Sequence, residues 1–296
     1  MEEIYFINRE TGEKVKEIVP GSKTMYFLYG NKRVGKLNLF LLFKRKYLSQ
    51  FGGLMMQWSY SKRKIPVFIK EHQLNMDEFV VPEKGYKNFN QFFYRKLKSK
   101  KRVIEKGVVS PADGKIVVFN QINDCYNFYI KDCSFNLITF LKDEHLAQKY
   151  NGGSMAIIRL APADYHRFHF PFDGIPSESK KIKGYYYSVS PLALKQNMRI
   201  FCENKREYST LKTNKLGDIL ICEVGATLTG SIKQTYTPNQ PVKKGDEKGH
   251  FAFGGSTVVL LFERNKIQFN QDLVDNTNNG YETAIKMGEQ IAEIIG

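Results

Sequence analysis

Cysteine is scarce in this chain: four in 296 residues, at positions 125, 133, 202 and 222. None forms a C-x-x-C pair and no histidine lies at zinc-ligand spacing from them. Four reduced thiols are therefore expected, with no disulfide framework and no metal site. Only 10 prolines and 23 glycines are present, which excludes a collagen-like or low-complexity chain. No uncharged apolar run reaches the roughly 18 residues that a bilayer-spanning helix needs. The opening MEEIYFINRETGEK is acidic and lacks an apolar stretch, so a cleaved secretory signal is not expected. Acidic residues are missing altogether between Asn31 and Lys64, a segment that carries nine lysines and arginines.

What is present points to a folded, basic protein. Apolar residues make up 42% and aromatics 14%, too rich for a disordered chain. The balance of 45 Lys+Arg against 30 Asp+Glu leaves a formal charge of +15, which implies an anionic partner without choosing between nucleic acid, membrane and acidic substrate.

Along the chain, EIYFINRETGEKVKEIV predicts two short strands around Thr11-Gly12. Apolar spacing over 36–60 predicts a basic amphipathic helix, interrupted at Gly52-Gly53. Further helices are predicted over 66–75 and near 88–97, where Phe89, Phe92, Phe93 and Leu97 share a face. From about 107 the texture becomes strand-like: GKIVVFNQI, FNLITFL, SMAIIRLA, KIKGYYYSVS, DILICEVGATLTGSI and STVVLLFE. The final ETAIKMGEQIAEIIG places Ala284, Ile285, Gly288, Ile291, Ala292 and Ile295 on one helical face. The strand runs are not interleaved with long helices. The expected class is α+β: an N-terminal helical, membrane-facing region over 1–106, a strand-rich catalytic core over 107–296, and a short C-terminal helix.

Three segments have chemical potential. Ser110-Pro111-Ala112-Asp113-Gly114 is a turn before a strand. Asp164-Tyr165-His166-Arg167-Phe168-His169-Phe170-Pro171 holds two of the five histidines, fenced by Pro162 and Pro171. In extended chain, positions 166 and 169 face opposite ways, so they are not expected to share a metal. Gly249-His250-Phe251-Ala252-Phe253-Gly254-Gly255-Ser256-Thr257-Val258 is not a hydrolase elbow, because G-x-S-x-G needs Gly where Val258 stands. A serine preceded by two glycines does, however, have an unobstructed carbonyl on its N-terminal side for its hydroxyl to attack.

The order and flanks of these segments resemble the phosphatidylserine decarboxylase family, through FNQFFYRKL (89–97), VVSPADGKI (108–116), IIRLAPADYHRFHFP (157–171) and GHFAFGGSTVVLLFE (249–263). The resemblance covers about 88–290, and the N-terminal part matches only in general character. Much of the family has Leu-Gly-Ser-Thr at the serine; Gly254 stands here in place of that Leu. The resemblance implies a proenzyme that cuts itself between Gly255 and Ser256, into chains of 255 and 41 residues. It implies that His169, oriented by Asp113, acts as base on Ser256, and that Ser256 becomes a covalent pyruvoyl group. That group forms a Schiff base with phosphatidylserine and releases CO2, giving phosphatidylethanolamine. His166 is taken as proton donor to the carbanion, and Thr257 as a candidate to stabilise the oxyanion of cleavage. Large and small chains are expected to stay together, with dimerisation left open. The enzyme is expected peripherally on the cytoplasmic face of the cell membrane, held by its basic helix, with no nucleic-acid partner. Two other readings stay open on the residues alone. One is a serine hydrolase using Ser256, His169 and Asp113. The other is a basic binding module built on FFYRKLKSKKR (92–102).

Overall fold

The computed structural model describes residues 3–17, 53–122, 136–190, 200–226, 231–254 and 256–295. The strands in chain order are β1 (Tyr5–Asn8), β2 (Lys14–Lys16), β3 (Val108–Val109), β4 (Gly114–Phe119), β5 (Ser154–Leu160), β6 (Arg167–His169), β7 (Ile175–Pro176) and β8 (Lys180–Ile182). They continue as β9 (Arg206–Lys212), β10 (Asp218–Gly225), β11 (Ile232–Gln234), β12 (Glu247–Phe251), β13 (Ser256–Phe262), β14 (Ile267–Phe269), β15 (Glu282–Ile285) and β16 (Gln290–Ile294). The α-helices are α1 (Ile65–Glu71), α2 (Phe89–Phe93), α3 (Leu137–Leu141), α4 (Glu144–Tyr150), α5 (Ile200–Glu203) and α6 (Gln271–Asn278). The molecule is thus a strand-rich α+β protein.

One large sheet runs β2-β1-β15-β4-β5-β13-β10-β9-β7, with β8 also on β9. Two three-stranded sheets, β11-β12-β6 and β14-β16-β3, accompany it. β13 sits mid-sheet and is buried along its whole length. Its unbroken STVVLLF has the sequence of a strand covered on both faces. On one face Val259 and Leu261 pack with Phe140, Leu141, Tyr150 and Phe201 from α3, α4 and α5. On the other, Val258, Leu260 and Phe262 pack with Phe168, Phe170 and Phe251 from the small sheet.

The strands expected at 114–122, 154–161, 218–232 and 256–263 contain β4, β5, β10 and β13, and the two short N-terminal strands are β1 and β2. β1 pairs parallel with β15, so residues 5–8 extend the core sheet. Most of the helix expected over 36–60 lies outside the described residues. Residues 53–55 are helical, and the expected interruption at Gly52-Gly53 lies partly outside the described residues.

Three expectations are corrected. FNLITFL forms α3, not a strand, because Asn136 caps it by accepting from Thr139 N–H, and Lys142 closes it in the left-handed region at φ 52°. KIKGYYYSVS is extended only over β8. Beyond it, the Asn204 side chain bonds both the N–H and the carbonyl of Tyr187 and substitutes for a ladder. The C-terminal helix is absent: 282–294 forms β15 and β16 around Gly288 at φ 93°. β15 gains ladder partners in β1 and β4, and β16 in β14 and β3, which a lone helix would leave unpaired.

Arg159 fastens the N-terminal segment to the sheet, bonding Glu282 at 2.9 Å and Glu17 at 2.7 Å with all three side chains buried or nearly so. Removing it strands two carboxylates out of water. Arg159→Ala is expected to lower the unfolding free energy by about 3–5 kcal/mol in urea titrations. A loss below about 1 kcal/mol, the range of a surface pair, would contradict this.

Candidate active site

Ser256 opens β13. It stands opposite Leu160 of β5 and Gly225 of β10, so both neighbouring strands hold it. It is fully buried. Two residues before it, Gly254 has φ 139°, a backbone region that side chains disfavour. The approach to the serine is anchored by Asn90 of α2, whose Oδ1 accepts from Phe253 N–H at 2.9 Å. The Phe253 ring packs edge-on against Phe93 and Phe89, at 5.0 and 5.4 Å between centroids. Gly255 lies outside the described residues.

His166 reaches Ser256. Its Nδ1 is 3.3 Å from Ser256 Oγ, and its Nε2 is 3.1 Å from the Ala161 carbonyl. A carbonyl can only accept, so Nε2 carries the proton and Nδ1 is the acceptor facing the hydroxyl. Phe93 stacks on the ring at 3.8 Å. The carbonyl belongs to a turn closed by Asp164, which accepts from Ala161 N–H at 2.7 Å and pairs with Lys115 at 3.0 Å. Burial pushes the His166 pKa down to about 3, against the pull of Asp164, and Arg95 adds to the fall.

His169 lies three residues on, in β6, and has different partners. Its Nδ1–H donates to the Gly245 carbonyl at 2.9 Å, and its Nε2 accepts from the Tyr165 hydroxyl at 3.1 Å. The two histidines thus use opposite ring nitrogens to hold backbone carbonyls and serve separate partners. Burial lowers the His169 pKa, while the Gly245 carbonyl and the charges of Glu247 and Asp113 work the other way.

Asp113 is not hydrogen-bonded to His169, as the expected triad requires. Its carboxylate takes Arg102 Nη2 at 2.7 Å and Met287 N–H at 2.8 Å. The cause is the burial of Arg102, which needs counterions and finds them in Asp113 and Glu78. The link from Asp113 to His169 is electrostatic and through the backbone, since His169 N–H donates to the Pro111 carbonyl at 2.8 Å. The β15–β16 turn that supplies Met287 also bonds Ser110 on both sides, through Glu289 and Gly288.

Thr257 is fully buried, and its Oγ1 has no hydrogen-bond partner among the described residues. Strand alternation turns it to the face opposite Ser256. Asn90, Phe93, Tyr165, Arg102 and the Ala161 carbonyl escaped the sequence reading. They lie within segments 89–97, 92–102 and 157–171 that the sequence singles out, but no role attaches to them there beyond the shared face of Phe89, Phe92 and Phe93.

In a Ser256→Ala chain, the imidazole NMR signals of His166 should not titrate between about pH 8 and pH 5, because burial keeps the ring neutral. A midpoint near the ordinary value of 6.5 would show that the ring is solvated.

The phosphatidylserine decarboxylase family model matches residues 89–293. A phosphatidylserine decarboxylase proenzyme of Fusobacterium nucleatum subsp. nucleatum is 52% identical over 292 residues, covering 98% of this chain and 97% of the relative. Proenzymes of the same description from Clostridium novyi and Chlamydia caviae are 44% and 43% identical, covering 94% and 98% of this chain and 96% and 98% of theirs. These matches set aside the hydrolase and binding-module readings, and the chain belongs to the phosphatidylserine decarboxylase family.

Proposed function

We propose that this chain is the precursor of a phosphatidylserine decarboxylase that cuts itself between Gly255 and Ser256. The observation that carries the reading is the Ser256 hydroxyl, set 3.3 Å from the bare Nδ1 of a neutral histidine and directly after two glycines. The hydroxyl oxygen attacks the Gly255 carbonyl and the amide becomes an ester, with the proton passing to the freed nitrogen. Loss of the α-hydrogen of residue 256 then expels the Gly255 carboxylate and leaves dehydroalanine. Water adds after tautomerisation, ammonia departs, and a pyruvoyl group caps the small chain.

The two histidines divide the work. His166 orients the hydroxyl, but a pKa of about 3 makes it a poor resting place for the proton at neutral pH. The base of cleavage is assigned to His169 Nε2, which Tyr165 must release before it takes the proton; burial lowers the pKa of this ring too, with Glu247 and Asp113 opposing the fall. A pyruvoyl group at 256 fits the site, since residue 256 stays laddered to β5 and β10 and faces His166. When present, it supplies a carbonyl that drains the electrons left by departing CO2. His166 relays the proton returned to the substrate carbon, taking it up at Nδ1 only transiently because its resting form is neutral. The 41-residue chain stays bound after cleavage, because β13, β15 and β16 all pair with strands of the large chain.

Ser256→Ala should remain one chain and release no labelled CO2 from carboxyl-labelled phosphatidylserine. Asp113→Ala or His169→Ala should block processing. His166→Ala should still process in part, yet turn over about a hundredfold more slowly per pyruvoyl. Normal turnover by a fully processed His166 variant would refute its assignment. A histidine base acts only when neutral, and burial lowers the His169 pKa. Processing should therefore hold constant from about pH 8 down to 6.5 and decline only below it. A decline already near pH 7.5 would contradict a buried base.

A phospholipid substrate gives the basic segment a purpose. The nine cations of 31–64 attract an anionic leaflet, at about 1 kcal/mol each near the surface. Leu54 and Trp58 stand 52% and 60% exposed at the described end of that segment. No helix among the described residues is long and apolar enough to cross a membrane. The enzyme is assigned to the cytoplasmic face of the cell membrane as a peripheral protein. Neutralising Lys44, Arg45 and Lys46 should weaken co-sedimentation with anionic vesicles without slowing self-cleavage. Added salt should mimic the substitutions, the screening length being about 8 Å at physiological ionic strength. Equal pelleting of both proteins at low salt would remove the segment from lipid binding.

A further inference from the structure

Arg95 follows α2 and is only 2% exposed. Its guanidinium lies against the rings of Phe79 and Phe92, 4.3 and 5.1 Å from their centroids. Nη2 donates to the carbonyls of Ala163 and Asp164, at 2.9 and 3.3 Å. Nε and Nη1 are buried and have no partner among the described residues. Among the described residues no carboxylate forms an ion pair with Arg95: Asp164 is taken by Lys115 and Asp113 by Arg102. Other buried arginines are satisfied. Arg159 has two carboxylates, and all three nitrogens of Arg206 bond carbonyls.

A buried cation with unused donors and no counterion is costly, and an incoming anion relieves the cost. The location suggests which anion. Arg95 holds the 163–164 end of the turn whose Ala161 carbonyl fixes His166, and Phe92 and Phe93 of one helix touch Arg95 and His166 respectively. Its charge is also felt at His166. It therefore stands beside the group that faces Ser256. Accepting the decarboxylase reading above, the substrate headgroup brings two anions to this place, a carboxylate and a phosphodiester.

We infer that Arg95 forms an anion-binding subsite that takes acidic oxygens of the substrate headgroup through Nε and Nη1. Such oxygens match a guanidinium edge in shape and charge. Neither ring nor carbonyl neighbours can replace them in that role.

The test uses self-processed enzyme carrying Arg95→Lys or Arg95→Gln, with pyruvoyl counted per chain and kcat and KM measured on phosphatidylserine in detergent micelles. Arg95→Gln should raise KM about tenfold or more, the scale of a lost charged hydrogen bond, with kcat per pyruvoyl little changed. Arg95→Lys should process normally and show a smaller rise. Two inhibitors separate the sources of the anion: glycerophosphoethanolamine has the phosphodiester but no carboxylate, and N-acetylserine has the carboxylate but no free amine. The one whose inhibition weakens in step with KM identifies the group bound. Processed Arg95→Gln with wild-type KM would overturn the subsite. So would failure of Arg95→Lys to self-process, which would make Arg95 a framework residue. A wild-type enzyme without decarboxylase activity would instead sink the functional reading on which this rests.

Discussion

A carbonyl oxygen has lone pairs and no proton to give, so the 3.1 Å contact between Ala161 O and His166 Nε2 determines where the His166 proton resides. The chemistry at Ser256 depends on that assignment. With the proton on Nε2, Nδ1 offers a lone pair to the hydroxyl. With the other tautomer, Nδ1–H would donate to the hydroxyl oxygen and no lone pair would be left to take the hydroxyl proton. The turn that presents the carbonyl is held by Asp164, which caps it and is itself held by Lys115. Phe93 fixes the plane of the ring, and Asn90 of the same helix fixes the chain leading to Ser256. One five-residue helix thus orients both members of the reacting pair.

The same frame explains how a chain can be cut in its middle and remain folded. The proposed scissile bond precedes β13, a strand buried along its whole length and laddered on both sides. Cleavage and loss of the residue 256 nitrogen leave the ladders of residues 257–262 in place. The C-terminal strands add to the grip, since the β15–β16 turn bonds both Asp113 and Ser110. With the proposed cleavage, the small chain carries the future prosthetic group and also helps to position the acid expected to support its formation.

Much of this was legible in the sequence because it rests on local signals. Continuous apolar runs mark β5, β10 and β13, and the two glycines before Ser256 mark the bond proposed to be cut. What the sequence concealed was long-range. The apolar spacing at 284, 285, 288, 291, 292 and 295 suits a helix as well as two short strands. Only partners such as β4 and β3, far away in the chain, decide for strands. The family resemblance pairs Asp113 with His169, whereas the buried charge of Arg102 claims it in the fold. The approach of His166 to Ser256 spans 90 residues and follows from the turn at 161–165, whose shape depends on a carboxylate and a lysine that neither histidine predicts.

The central claim is that one residue, Ser256, serves first as the nucleophile of cleavage and then as the source of the reactive carbonyl. Intact-mass measurement of the purified, denatured protein tests it most directly. The account predicts two chains, 1–255 ending in a free carboxylate and 256–296 lighter by one ammonia than the corresponding serine peptide, its amino end blocked to sequencing. A small chain with the full mass of a peptide starting in serine, in an enzyme that turns over phosphatidylserine, would contradict it.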